Sequence, residues 1–113
     1  MLDFCKKHNT FLIPRAAGTS LAGQVVGAGI VVDISKNLNK ILEVNAEEKW
    51  VRVQAGVVLQ QLNQYLKQYN LLFGPETSTA NRCCIAGIVG NNSCGLHSLV
   101  YGSTREHLLE ASV

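Results

Sequence analysis

The chain has 113 residues, 47% of them apolar and 16% charged, with a formal net charge of +2. That length gives one small globular domain, and the charge is too weak for a nucleic-acid surface. No run approaches the roughly 18 apolar residues of a membrane span, the first residues lack the order of a signal peptide, and aromatics at 6% offer no platform for stacked bases.

Met1 to His8 carries apolar residues at 1, 2, 4 and 5, then Lys6 and Lys7. This predicts a short helix with basic residues at its C-terminal end and Asn9 as its stop. Phe11-Leu12-Ile13 reads as a buried strand, and the lack of an earlier strand to pair with it suggests a piece of a longer architecture. The next segment, Pro14-Arg15-Ala16-Ala17-Gly18-Thr19-Ser20-Leu21-Ala22-Gly23-Gln24, is the most informative in the chain. Small side chains let successive backbone N–H groups converge on one point, and such a nest binds an anion. Thr19 and Ser20 add hydroxyl donors, Arg15 adds positive charge, and Gly18 is the position expected to need freedom in φ. The anion that fits is the phosphate or pyrophosphate of a nucleotide; an ordinary small-residue turn is the other reading. Neither a Walker loop nor a Gly-x-Gly-x-x-Gly fingerprint is present.

Residues 30–34 form a β-branched run. Segments 41–45 and 49–54 alternate, with Ala46-Glu47-Glu48 between them as the loop of an antiparallel hairpin. Val51, Val53 and Ala55 share the core face, and Trp50, Arg52 and Gln54 share the other, where Trp50 covers the sheet. Gly56 sits where a backbone could approach a ligand closely. Residues 57–69 have helical spacing, with Gln60, Gln61, Asn63, Gln64 and Lys67 outward. Gly74 to Asn81 and Ile85 to Gly95 are small, polar or glycine-punctuated segments that read as loops with exposed backbone donors rather than core. Tyr101 to His107 reads as a turn leading into one helical turn, and 108–113 as the start of another strand.

Cys83, Cys84, Cys94 and His97 lack the paired spacing of a zinc ribbon, so no metal is expected. Four cysteines in a chain of this length suit a reducing, cytoplasmic setting better than a disulfide framework. His97 and His107 have no nucleophile and acid arranged around them in sequence, and no catalytic residue is assigned.

Five segments in this order, Pro14–Gln24, Gly56-Val57, Gly74–Ser78, Gly87–Gly95 and Tyr101–His107, resemble the FAD-binding domain of the FAD-linked oxidases. This is the PCMH-type fold shared with vanillyl-alcohol oxidase, and the likeness extends to the glycolate oxidase FAD subunit and to D-lactate and D-2-hydroxyglutarate dehydrogenases. The resemblance implies an α+β fold, present in part, with residues 1–73 as the first FAD subdomain and 74–113 as the start of the second. It implies that Pro14, Arg15, Ala16, Ala17, Gly18, Thr19 and Ser20 form the pyrophosphate loop, continued by Gly23 and Gln24. Pro75, Glu76, Thr77 and Ser78 would meet the flavin or ribityl side. Gly87, Gly90, Asn91, Asn92 and Ser93 would line the adenosine diphosphate path, with Gly95 in the same wall. No histidine lies between His8 and His97, so FAD held at the first loop would be non-covalent. The implied parent oxidises a small 2-hydroxy acid with residues supplied by other domains and passes electrons to an acceptor that the sequence does not identify; this part would be inactive alone. A non-catalytic nucleotide-binding scaffold, and a flavin reductase of cell-wall precursor synthesis, are the alternatives.

Overall fold

The structure, a computed structural model, describes all of residues 1–113. Helix α1 (Leu2–Lys7) has Asp3 in its first turn and Lys6 and Lys7 in its last, matching the helix dipole. Asn9 follows with φ +48°, a left-handed conformation that asparagine tolerates better than most residues. Strand β1 (Leu12–Arg15) then pairs in parallel with β2 (Ile30–Asp33), Leu12 opposite Ile30 and Arg15 opposite Asp33. Parallel strands need a long crossover, usually a helix. Here the crossover is residues 16–29, which form neither helix nor strand. The parallel pairing therefore places the anion-binding candidate loop at the C-terminal end of β1.

Strands β3 (Ile41–Asn45) and β4 (Trp50–Val53) make a separate antiparallel hairpin with an irregularity between Ile41 and Glu43. Its turn is closed by side chains: Asn45 Oδ1 accepts the Glu48 N–H at 3.0 Å, and Glu48 Oε2 accepts the Trp50 indole N–H at 2.7 Å. Arg52 lies 6.0 Å from the Trp50 ring centroid on the outer face, whereas Val51 and Val53 pack inward.

Helix α2 (Leu59–Leu66) continues as a 3-10 turn over Lys67–Tyr69 and stops at left-handed Asn70. Leu59, Leu62 and Leu66 are its buried stripe. Val57, Leu62 and Leu66 form one core cluster against the valines of the hairpin, and Leu59, Cys83 and Ile88 form a second; Phe73 and Ile85 touch both. Asn63, expected to face outward, instead accepts the Phe73 N–H at 2.9 Å and ties α2 to the segment that leads into the Gly74 loop.

Residues 85–90, expected to be a loop, form helix α3 (Ile85–Gly90) and bury Ile88. Tertiary packing of Ile88 overrides two glycines of low helix propensity. A four-residue helix α4 (Ser98–Tyr101) follows, then a 3-10 turn over Thr104–His107 with a Ser103/Glu106 capping box. The strand expected at 108–113 does not form; that segment is exposed and has no strand partner.

Only 13 of the 113 residues are buried, and the accessible surface is 8119 Å². A compact monomer of this mass exposes about 6,100 Å². The radius of gyration is 15.3 Å, against about 13 Å for a compact domain of this size. The surplus surface includes Leu96, Leu99 and Leu109, all almost fully exposed.

Candidate functional site

The loop after β1 carries a row of backbone donors. No N–H from Ala16 to Gln24 donates to a carbonyl or a side-chain oxygen of the chain. The N–H of Ala17 faces the sulfur of Cys84. Polar groups left free within the protein must be met by water or a ligand. Gly18 (φ +67°) and Gly23 (φ +82°) are left-handed, and Ala16 and Ala17 are not, so methyl side chains fit where they stand.

Arg15 ends β1, and its Nη2 lies 3.2 Å from Asp33 Oδ2 at the end of β2. The other oxygen of Asp33 accepts the Ser35 hydroxyl at 2.6 Å and the Ser35 N–H at 2.9 Å. These two bonds first, and then Arg15, hold the Asp33 carboxyl below its usual range. Pro14, also in β1, is exposed.

Helix α3 forms the facing wall. A Cβ on Gly87 would lie 3.5 Å from the Ala16 Cβ, ordinary contact, so the first loop rests on α3 at this point. The Gln24 amide donates to Asn91 Oδ1 at 3.2 Å, closing the other end of the loop onto the end of α3. Gly90 is open, with nothing within 4 Å of a Cβ placed there. Asn92, at φ +46°, accepts the Arg105 N–H at 2.9 Å, and the Ser93 carbonyl accepts the Thr104 hydroxyl at 2.6 Å. Asn92 and Ser93 thus fasten α3 to the Thr104–His107 turn.

A second group gathers around residues 75–78. Pro75 is buried, and Gly95 packs against the Glu76 carbonyl so closely that no side chain fits. Glu76 Oε2 is 2.6 Å from His97 Nδ1. The Thr77 hydroxyl turns inward, 3.1 Å from Cys83 Sγ. Glu76 and Ser78 line an open cleft of about 580 Å³ with Phe73, Asn63 and Tyr101. The structure therefore joins Ala16, Ala17, Gln24, Gly87 and Asn91 in one group, and Glu76, Ser78 and Gly95 in another.

Sequence reasoning missed a cleft of about 370 Å³ beside the first loop, where Ala17 meets Ser35, Gly56, Gln61, Arg82 and Cys84. Gln61, exposed as its helical position predicts, lines the cleft's rim. Gly56 is approached not by open space but by backbone: a Cβ there would lie 2.7 Å from the Ile34 carbonyl oxygen and 2.8 Å from that of Leu38. Burial pushes the Cys84 thiol up, with Cys83 and Asp33 adding to the effect and the Ala17 N–H opposing it.

A dianionic diphosphate fits this donor set: consecutive N–H groups, the Thr19 and Ser20 hydroxyls, which bond to nothing else in the chain, and left-handed glycines that let the backbone curve.

Comparison with known proteins bears on what that diphosphate belongs to. The chain is 50% identical over 96 residues to D-2-hydroxyglutarate dehydrogenase of Escherichia coli (strain K12), covering 85% of this chain and 9% of that protein. It is 37% identical to the mitochondrial D-lactate dehydrogenase (cytochrome) of Kluyveromyces lactis, covering all of this chain and 20% of that one. Glycolate oxidase subunit GlcD of Bacillus subtilis (strain 168) is 32% identical, again over the whole chain and 24% of the relative. The chain thus spans between about a tenth and a quarter of the length of these relatives. Its fold is shared with alkyldihydroxyacetonephosphate synthase, with a TM-score of 0.81 at 21% identity over 93% of this chain and 22% of that structure. No helix is long and apolar enough to cross a membrane. The FAD binding domain family matches residues 1 to 113 without a gap at either end, and the chain belongs to that family.

Proposed function

We propose that this chain is the part of a flavin-dependent oxidoreductase that grips the diphosphate of FAD, and that the parent protein oxidises a small 2-hydroxy acid in the cytoplasm. The observation that carries this reading is the row of N–H groups from Ala16 to Gln24, none of which donates to an oxygen of the chain and only one of which, that of Ala17, faces the Cys84 sulfur; left-handed Gly18 and Gly23 lie within it. Backbone donors at the end of a strand hold an anion with fixed geometry and no side-chain entropy cost. Thr19 and Ser20 add hydroxyls, and Gln24, locked to Asn91, sets the width between loop and α3. Bound flavin supplies the two-electron acceptor chemistry; the chain supplies binding and orientation. With no histidine in the first loop, the attachment there is non-covalent. Residues 1–73 form the first FAD subdomain, which contains all four strands, and 74–113 begin the second. The rest of the parent supplies the substrate residues. The dehydrogenase and oxidase relatives support the substrate class, each by the acid in its own name.

The test is flavin titration of the full-length protein carrying Gly18→Val. A β-branched residue resists φ +67°, and loss of a charge-assisted hydrogen bond costs about 1.5–3 kcal/mol, or roughly ten- to hundredfold in affinity. Lys6→Ala, on α1, should bind FAD as wild type does. Equal affinity in Gly18→Val and wild type would remove the loop from the site. Failure of the folded wild-type protein to bind flavin at all would favour a scaffold role.

A further inference from the structure

We propose that Asp33 is a positioning residue for the diphosphate loop, acting through Arg15, and that Arg15 is a braced floor for the loop rather than a free cation for the cofactor. This rests on the reading that residues 16–24 hold the diphosphate.

The geometry is a relay of contacts. Arg15 and Asp33 are register partners at the ends of parallel β1 and β2, which places their side chains on one face. Asp33 Oδ2 is 3.2 Å from Arg15 Nη2, and Asp33 Oδ1 is held from the other side by the Ser35 hydroxyl and N–H. Ser35 is itself fixed, because Gly56 packs on its Cα and the Gly56 N–H donates to Leu38 across the same turn. At the far end, a Cβ on Gly18 would lie 3.5 Å from Arg15 Cδ and 3.9 Å from Arg15 Cγ. The left-handed turn at Gly18 therefore sits on the aliphatic stem of Arg15, and Asp33 holds the head of that same side chain.

Two consequences separate this arrangement from a phosphate-binding arginine. The Arg15 charge is already countered by Asp33 at contact distance, so the anion is met mainly by backbone dipoles. Removing the Asp33 charge should then harm FAD binding by loosening the floor, whereas a phosphate-binding arginine would be freed by the same change and would bind more tightly.

The experiment measures FAD affinity of the full-length protein, by quenching of flavin fluorescence, in 0.1 M and 1 M NaCl for Asp33→Asn, Arg15→Met, the double variant and Arg15→Lys. Asparagine keeps an oxygen for Ser35 but offers Arg15 an amide in place of a charge, so the fold should persist; melting of the flavin-free proteins checks this. A half-exposed pair of this kind corresponds to about a two- to fivefold change in affinity. Asp33→Asn and Arg15→Met should each weaken FAD by that factor, and the double variant by no more than either alone. Arg15→Lys, which keeps a cation opposite Asp33, should recover the affinity. At 1 M NaCl, where through-space charge effects are screened within about 3 Å, the 3.2 Å Arg15–Asp33 pair is itself weakened, so the loss in Asp33→Asn should shrink relative to 0.1 M. Tighter binding in Asp33→Asn, additive losses in the double variant, or no recovery in Arg15→Lys would each overturn the brace. Gly18→Val separates the two claims: if it alone weakens FAD, the loop reading stands and the brace falls, and if it has no effect, the loop reading itself falls.

Discussion

Replacing Gly95 by alanine tests whether the second group of site residues is held as a unit. Gly95 does not have a positive φ, so its backbone accepts alanine without strain. Only space opposes the change: the new methyl would overlap the Glu76 carbonyl oxygen and lie 2.6 Å from its carbon. Backbone cannot rotate away as a side-chain tip would, so residues 94–97 and 75–78 must part. Overpacking of this kind costs about 1–3 kcal/mol. The exposed Glu76–His97 pair, 2.6 Å long and astride the same contact, adds roughly 0–1 kcal/mol. Thermal unfolding of the full-length flavin-free protein should then shift downward, at about 2–8 °C per kcal/mol across domains of 60 to 250 residues. FAD affinity should fall as well, because Ser78 moves with Glu76. Gly90→Ala is the matched control for melting, since nothing lies within 4 Å of its added methyl, and alanine is the better helix former by about 1 kcal/mol. Wild-type melting and affinity in Gly95→Ala would refute the claim that the two segments are packed against each other.

Three further outcomes follow from the same structure. Asp33 has a folded-state pKa below its unfolded one, so its stabilisation is present above the unfolded value of about 3.9 and is lost as pH falls through the folded value. Asp33→Asn should flatten the acid limb of unfolding monitored by circular dichroism below about pH 4, and an unchanged limb would contradict the Ser35 and Arg15 contacts. Maleimide labelling followed by mass spectrometry should modify exposed Cys94 first and buried Cys83 and Cys84 slowly, with Cys84 slowed further by its raised pKa; equal rates would place Cys84 at the surface. The 113-residue chain in isolation should self-associate or melt at low temperature, because it exposes roughly 2,000 Å² more than a compact monomer of its mass. A monodisperse monomer in sedimentation with a sharp, high transition would contradict this.

The elements carried by strong local patterns were legible in the sequence. Alternation at 41–45 and 50–53 gave the hairpin and its inward valines, and the 3.6-residue stripe through Leu59, Leu62 and Leu66 gave α2. What escaped was set by contacts between distant segments. Helix α3 contains two glycines, and only the burial of Ile88 between Leu59 and Cys83 explains it. Asn63 reads as a solvated helix residue until Phe73 presents its backbone to it. At 108–113 the residue types suit a strand, but a strand needs a partner and the chain offers none there. In the site, the loop chemistry at 14–24 was legible from small residues, hydroxyls and glycines. The Arg15–Asp33–Ser35 network was not, because it depends on a parallel pairing across residues 16–29 that no local signal announces.

Hydrogen–deuterium exchange of the full-length protein, with and without FAD, tests the central claim most directly, since it reads the very N–H groups on which the claim rests. In the flavin-free protein, peptides spanning residues 16–24 should exchange among the fastest, because none of those amides donates to an oxygen of the chain and only that of Ala17 has an internal partner, the Cys84 sulfur. Saturating FAD should protect that stretch strongly and the hairpin at 41–53 hardly at all. Flavin binding that leaves residues 16–24 as fast as before, while protection appears elsewhere, would contradict the account.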